Sequence, residues 1–266
     1  MQADSTPRTL VIAAHPDDET IGAAVRISCT KDIQIIHVTD GSPFDPADAL
    51  SAGFTHPEAY AAARREEAVK ALALAGVPKD AITNLGFLDQ QVAYQLEELT
   101  LRILWIFDRL RPEVVLTHAY EGGHPDHDSI AFACHLAKKM RDEEGPGRKF
   151  ELVEFTGYHA EGGGIMPYQF LPSRQALEHR YHLSEEQRHL KTRMLQEFKS
   201  QRKSLAPFML PETEAFRDAP RYDFRRPPHA GRLFYEYFDW GIDGVRWREL
   251  AQDTERSLFA PVERAA

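Results

Sequence analysis

The feature that most constrains the fold is a repeated alternation of short apolar runs with longer helical patterns. Residues 9–14 (TLVIAA), 33–39 (IQIIHVT) and 113–118 (EVVLTH) are Val- and Ile-rich runs, each opening into a polar turn. Runs of that length read as strands buried on both faces. Helical patterns lie between them at about 19–29, at 57–75, stopped by Gly76 and Pro78, and at 94–110, stopped by Pro112. Glycine or proline just past a helical run is a stop signal. Strands that alternate with helices imply βαβ units with right-handed crossovers and a largely parallel sheet. The expected fold class is therefore α/β, a Rossmann-like three-layer αβα sandwich with a C-terminal elaboration.

The later part of the chain extends that pattern. A helix is expected from Pro125 to about Met140 and a strand over 150–157 (FELVEFTG). Ser184 with Gln187 has the spacing of a capping box, for a helix reaching about residue 200. Residues 205–232 are rich in proline and arginine without periodicity and read as an ordered loop or arm. The run 233–238 (LFYEYF) resembles a strand, and 243–256 a closing helix. The expected organisation is a core over 1–202, with 203–266 as an arm, strand and helix packed on the same domain.

Composition excludes several classes. The 266 residues carry a net charge of -9, which opposes phosphate-backbone binding, so no nucleic-acid partner is expected. The N-terminal stretch reads as neither a secretion signal nor a span, and no later window reaches a spanning length. Cys29 and Cys134 lie in helical segments and make no disulfide framework. Together these imply a cytoplasmic protein, with room for a homo-oligomer.

Chemistry concentrates at the strand ends, where open α/β sheets bind ligands. Three turns carry acids or histidines: His15-Pro16-Asp17-Asp18-Glu19, Thr39-Asp40-Gly41, and Glu121 to His127. Adjacent acids at a helix start can be capping groups. His124 and His127, three apart with Asp126 between them and Pro125 opening the helix, can project from one helical turn into the same space. Zinc takes His and Asp ligands, and a catalytic site leaves one position for water. The two clusters together supply a His-Asp-His set with acids to spare. The first βα turn lacks G-x-G-x-x-G and offers aspartates where a pyrophosphate needs backbone amides, which counts against dinucleotide binding.

AHPDDE at 14–19 and HPDH at 124–127 resemble the two signature motifs of the PIG-L (LmbE-like) family of zinc-dependent N-deacetylases. Val38-Thr39-Asp40-Gly41, Arg64-Arg65-Glu66-Glu67, and Lys191 followed by Ser200-Gln201 are similar to further family features. The likeness covers about 8–140 well and 185–202 weakly. It implies that His15, Asp18 and His127 hold Zn2+, or another divalent metal such as Fe2+. It further implies Asp17 as general base, and His124, held by Asp126, as acid or oxyanion donor. The implied reaction is hydrolysis of the acetamide of an N-acetylglucosamine-type conjugate, with another acylated small molecule or natural-product glycoside as substrate, or a non-catalytic sugar- or nucleotide-binding domain, as alternatives. Some relatives place a tyrosine just before the HPDH histidine; here Glu121, Gly122 and Gly123 stand there, and Tyr120 is the nearest.

Weaker candidates remain. Asp40 could approach the site or serve its own turn. Arg64 or Arg65 could bind substrate hydroxyls, with at most one pointing inward. His37 and His135 read as packing residues, and His118 stays open. The Arg- and aromatic-rich segment 221–229 suits sugar stacking, an anionic aglycone or a surface arm. Gly162-Gly163-Gly164 suggests a mobile loop over the site.

Overall fold

The computed structural model describes residues 7–43, 45–143 and 149–260. The opening hexamer of the stretch read as neither leader nor span lies outside them. Among the described residues no helix is long and apolar enough to cross a membrane.

The chain runs β1 (Thr9–Ala13), α1 (Asp18–Ser28), β2 (Ile33–Pro43), α2 (Ala47–Ser51), α3 (Pro57–Leu74), β3 (Ile82–Asp89), α4 (Leu96–Leu110), β4 (Val114–His118) and α5 (Pro125–Glu143). It continues with β5 (Glu151–Phe155), β6 (Tyr158–Glu161), β7 (Gly164–Pro167), β8 (Glu178–His182), α6 (Glu185–Glu197), β9 (Thr213–Asp218) and α7 (Gly244–Phe259). The main sheet has the order β3-β2-β1-β4-β5-β9-β8, and β6 pairs only with β7. Its first five strands are parallel, while β9 runs antiparallel to both neighbours. The α/β three-layer expectation holds.

Strand alternation explains the layers. In β1, Val11 joins one core with Ile27, Leu72, Met194 and Phe198, from α1, α3 and the end of α6. Its neighbours Leu10 and Ile12 join another with Ile103, Phe107, Ile130 and Ala133, from α4 and α5. Period-two side chains on a fully covered strand must serve two cores. The chain leaves β1 towards β2 and β3, then returns to place β4 on the other side of β1. The β1/β4 crevice is thus a topological switch point, where such sheets bind ligands.

Several expectations are corrected. β2 runs through Thr39-Asp40-Gly41 to Pro43, with register shifts after His37 and Thr39, so that segment is an irregular strand rather than a turn. The run 205–232 holds a strand, β9, and β3 and β8 are strands that the apolar pattern does not announce. LFYEYF is not a strand: Phe234–Tyr237 form a 3-10 turn, closed by the Glu236 carboxylate accepting the Leu233 N–H at 2.9 Å. Gly162 and Gly163, at φ 58 and 86, form the tight turn of the β6–β7 hairpin. Two successive positive φ values are what a two-residue hairpin turn requires. The Ser184–Gln187 capping box is present.

α1 is kinked at Ala23, and the freed N–H groups of Val25 and Arg26 donate to the Glu214 carboxylate at 2.9 and 3.2 Å. Lys191, fully buried, donates to Glu214 at 3.0 Å. Removing one partner of a buried pair strands the other charge, at a cost of about 3–5 kcal/mol. Lys191→Met is therefore expected to lower the melting temperature by about 10 °C, read by calorimetry. An unchanged melting point would show that Glu214 needs no counter-charge.

Candidate metal centre

The ends of β1, β3 and β4 converge. His15 follows β1, and its Nδ1 lies 3.0 Å from Asp18 Oδ2, whose oxygen also accepts the His15 N–H at 2.8 Å. His127, on the first turn of α5, places Nε2 3.1 Å from the other Asp18 oxygen. His118, at the end of β4, accepts the Ala14 N–H at 2.9 Å, stacks on His127 at 4.0 Å between centroids, and stands 3.6 Å from Asp18. Asp18 therefore touches three imidazoles.

A second group lies on the other side of His15. Its Nε2 is 2.9 Å from Asp89 and 3.4 Å from Asp126, and His124 Nε2 is 3.8 Å from Asp89. Among the described residues three buried donor sets result: His15, His124 and His127; Asp18, His118 and His127; and His15, Asp89, His124 and Asp126. The expected trio His15, Asp18 and His127 is divided between the first two sets, which share His127.

Electrostatics follow from the burial. Burial depresses the basicity of His15, but Asp89 and Asp18 outweigh it and hold its pKa well above the usual value. Burial raises Asp18, yet His127 and His15 outweigh it and hold its pKa well below the carboxylate range. Asp17 is pushed up to about 7 by burial, with Arg64 opposing. His127 Nε2 is buried without a hydrogen-bond partner, aimed at Asp18. An orphaned imidazole nitrogen facing a carboxylate among further histidines is a donor set that fits a divalent cation. On the Nε2 side of His15 the lone pairs are already in use: Asp126 accepts the N–H groups of Gln90 and Val92 at 2.7 and 3.3 Å.

Asp17 belongs to no donor set but lines the same cavity of about 730 Å³. Its φ of 140° is unusual for a non-glycine residue. Arg64 grips it: Nη2 donates to Asp17 Oδ2 at 2.9 Å and to Pro16 O at 3.1 Å, and Nη1 donates to Gly41 O. Arg64 thus faces the acid rather than open space for sugar hydroxyls, while Arg65 is exposed. Glu19 is turned away, holding His37 at 2.9 Å and Thr20 at 2.8 Å. His37 is accordingly a packing residue, as is His135, which stands against Tyr222 and Phe224.

Other expected contacts fall differently. Asp40 accepts the Ser42 N–H at 3.0 Å and serves its own strand irregularity. The Asp126 carboxylate stays 4.0 Å from His124 Nδ1, which instead accepts the Asp126 N–H at 3.2 Å. A ring that accepts at Nδ1 is neutral and carries its proton on Nε2. Residues 221–229 do not line the cavity; Tyr222 and Phe224 pack beside Tyr120 and Trp247 and tie the arm down.

Asp89 and Tyr158 are the residues that sequence reasoning missed. Tyr120 donates to Arg226 O, outside the cavity. Tyr158, from β6, enters instead, its ring 5.4 Å from His127. The Gly122-Gly123 pair was the signal: a Cβ on Gly123 would lie 2.2 Å from the Tyr158 carbonyl oxygen, and one on Gly122 2.7 Å from Leu233. Glycine there permits close backbone approach.

Residues 10–138 match the family PIG-L, described as GlcNAc-PI de-N-acetylase. The chain carries a PIG-L domain over that span. Solved structures of similar fold include an A40926 pseudoaglycone deacetylase, 20% identical, with TM-score 0.61 over 80% of this chain and 97% of that one. Another is the N,N'-diacetylchitobiose deacetylase of Pyrococcus horikoshii, 19% identical, with TM-score 0.57 over 81% and 85%. The 4-carboxy-2-hydroxymuconate hydratase of Pseudomonas putida has the same fold at 16% identity and TM-score 0.52, over 81% and 98%. The fold by itself therefore does not fix the reaction.

Proposed function

We propose that this chain is a zinc-dependent N-deacetylase that hydrolyses the acetamide of an N-acetylglucosamine-type conjugate to acetate and a free amine. The observation that carries the reading is the orphaned His127 Nε2, buried against Asp18 beside His15 and in the same cavity as a non-ligating acid, Asp17. His15 through Nδ1, Asp18, and His127 through Nε2 would hold Zn2+, with Fe2+ as the other cation suited to this donor set. Asp89 then fixes the His15 ring through Nε2, as carboxylates fix metal-binding imidazoles. A divalent cation in this place supplies Lewis acidity to the acetyl carbonyl and acidifies water.

The remaining steps belong to side chains. Asp17 takes a proton from the attacking water, because Arg64 holds its carboxylate at the cavity wall while Asp18 is engaged by three histidines. A carboxylate whose proton affinity is raised by burial can both accept that proton and return it to the leaving amine. His124, neutral with a proton on Nε2, donates a hydrogen bond to the developing oxyanion.

The test is an amine-release assay over a panel of N-acetylglucosamine conjugates and other acylated amines, with added Zn2+ or Fe2+. Turnover of the acetylated sugars, loss with a chelator and recovery on metal addition are expected. Full metal occupancy without amine release from any substrate would overturn the reading.

A further inference from the structure

Six aromatic rings make a closed circuit in the cavity wall. From His127 it passes to Tyr158 at 5.4 Å, Phe234 at 5.6 Å, Phe238 at 5.2 Å, Trp240 at 4.7 Å, His124 at 4.7 Å, and back to His127 at 5.3 Å. Phe238 and Trp240 are nearly parallel, 12° apart, and Phe238 is 44% exposed. A stacked pair left partly open beside a polar cluster presents a flat apolar face to whatever leaves the cluster over His124. Trp105, Tyr94 and Tyr181 are exposed as well, but none of them lines this cavity.

Another stretch of the lining, 199–205, has a different character. Lys199, Arg202 and Lys203 line the cavity and are exposed, and among the described residues their side chains form no ion pair. Some other surface cations, Arg102, Arg225, Arg246 and Arg256 among them, have a carboxylate partner, while Arg65 and Lys79 likewise form no ion pair among the described residues but do not line the cavity. Among the described residues Asp48 is the single lining acid outside the cluster, against those three cations. In a chain of net charge -9, a concentration of unneutralised positive charge at one cavity attracts anions.

We infer that Phe238 and Trp240 form a stacking platform, and that the substrates are N-acetylated amino sugars carried on a flat, apolar aglycone bearing an acidic group. This rests on the deacetylase reading above and adds the leaving half of the molecule to it. With the acetamide at the histidine–aspartate cluster, the aglycone passes His124, meets Trp240 and then Phe238, and its acidic group faces the 199–203 rim. Aromatic pairs favour offset or edge contacts, so a flat aglycone gains over a methyl group beyond its area alone.

The experiment compares methyl, phenyl and 4-carboxyphenyl glycosides of N-acetylglucosamine, by kcat/KM on the metal-loaded protein and by calorimetric binding to the metal-free protein. The phenyl glycoside is expected to exceed the methyl by about 3- to 10-fold. The carboxylate should add a further few-fold, removed by 1 M salt. Trp240→Ala and Phe238→Ala should each bring the phenyl-to-methyl ratio close to one. Arg202→Ser with Lys203→Ser should remove only the carboxylate increment.

Equal values for the three glycosides in the unmodified protein, or ratios untouched by the variants, would overturn the inference. An aryl preference in binding, lost in Trp240→Ala but without any amine release, would support the platform and sink the deacetylase reading. Hydrolysis at equal rates for all three would do the reverse.

Discussion

Asp17→Asn is expected to lower kcat by about 10²- to 10⁴-fold, the range for removing a positioned general base, while the protein keeps its full metal content. Asparagine preserves the shape of the side chain, and its carbonyl oxygen can still accept the Arg64 Nη2 hydrogen bond now made at 2.9 Å. What it loses is the ability to take a proton. Because Asp17 belongs to none of the three donor sets, metal affinity should not follow activity. Two measurements decide the matter, metal content by elemental analysis and turnover by amine release. Near-normal turnover would remove Asp17 from the mechanism, and loss of metal with the activity would make it a ligand.

Asp18→Ala is the converse. Its two oxygens meet His15 Nδ1 at 3.0 Å, His127 Nε2 at 3.1 Å and His118 Nε2 at 3.6 Å. Truncation leaves three buried imidazoles without the shared negative charge that holds them together. Outer-shell partners alone are worth about 10- to 100-fold in metal affinity, so loss of a direct ligand should weaken binding by on the order of 10²-fold or more. Turnover should be undetectable and addition of zinc should not restore it. Metal retained at the original affinity would move the site to the Asp89 side of His15.

What was legible in the sequence, and what was not, has a physical basis. β1, β2 and β4 are covered on both faces, so their cores are continuous apolar runs, and the His and Asp turns after β1 and β4 follow directly. β3 sits at a sheet edge, and its ITNLGFLD mixes polar with apolar residues because much of it faces water. With the strand unrecognised, Asp89 at its end could not be placed beside His15. β8 and β9 are short antiparallel strands with charged residues, which leave no such run. LFYEYF misled because Phe234 and Phe238 serve the cavity wall, Tyr235 is buried and Glu236 closes a turn, so the aromatic content reports on packing rather than pairing.

The choice between Arg64 and Arg65 was recoverable. Tyr60, Ala61, Arg64, Glu67, Ala68, Ala71 and Leu72 are the buried positions of α3, a stripe at helical spacing that includes 64 and skips 65. His124 was less accessible. Its partner at Nδ1 is a backbone N–H two residues on, a contact that depends on how the loop meets α5.

The cavity is assembled from separate stretches of polypeptide. His15, Asp17, Asp18, His124 and His127 lie within residues 15–127, whereas three of the rings in its wall, Phe234, Phe238 and Trp240, follow Gly231. A lineage, or a protein engineer, could therefore exchange the 233–240 segment without moving any of those five residues. New leaving groups would be explored by replacing one surface piece, at little risk to the reaction itself. The glycine at 122 is the joint that such a graft must respect, since a side chain there would meet Leu233 and push the segment away.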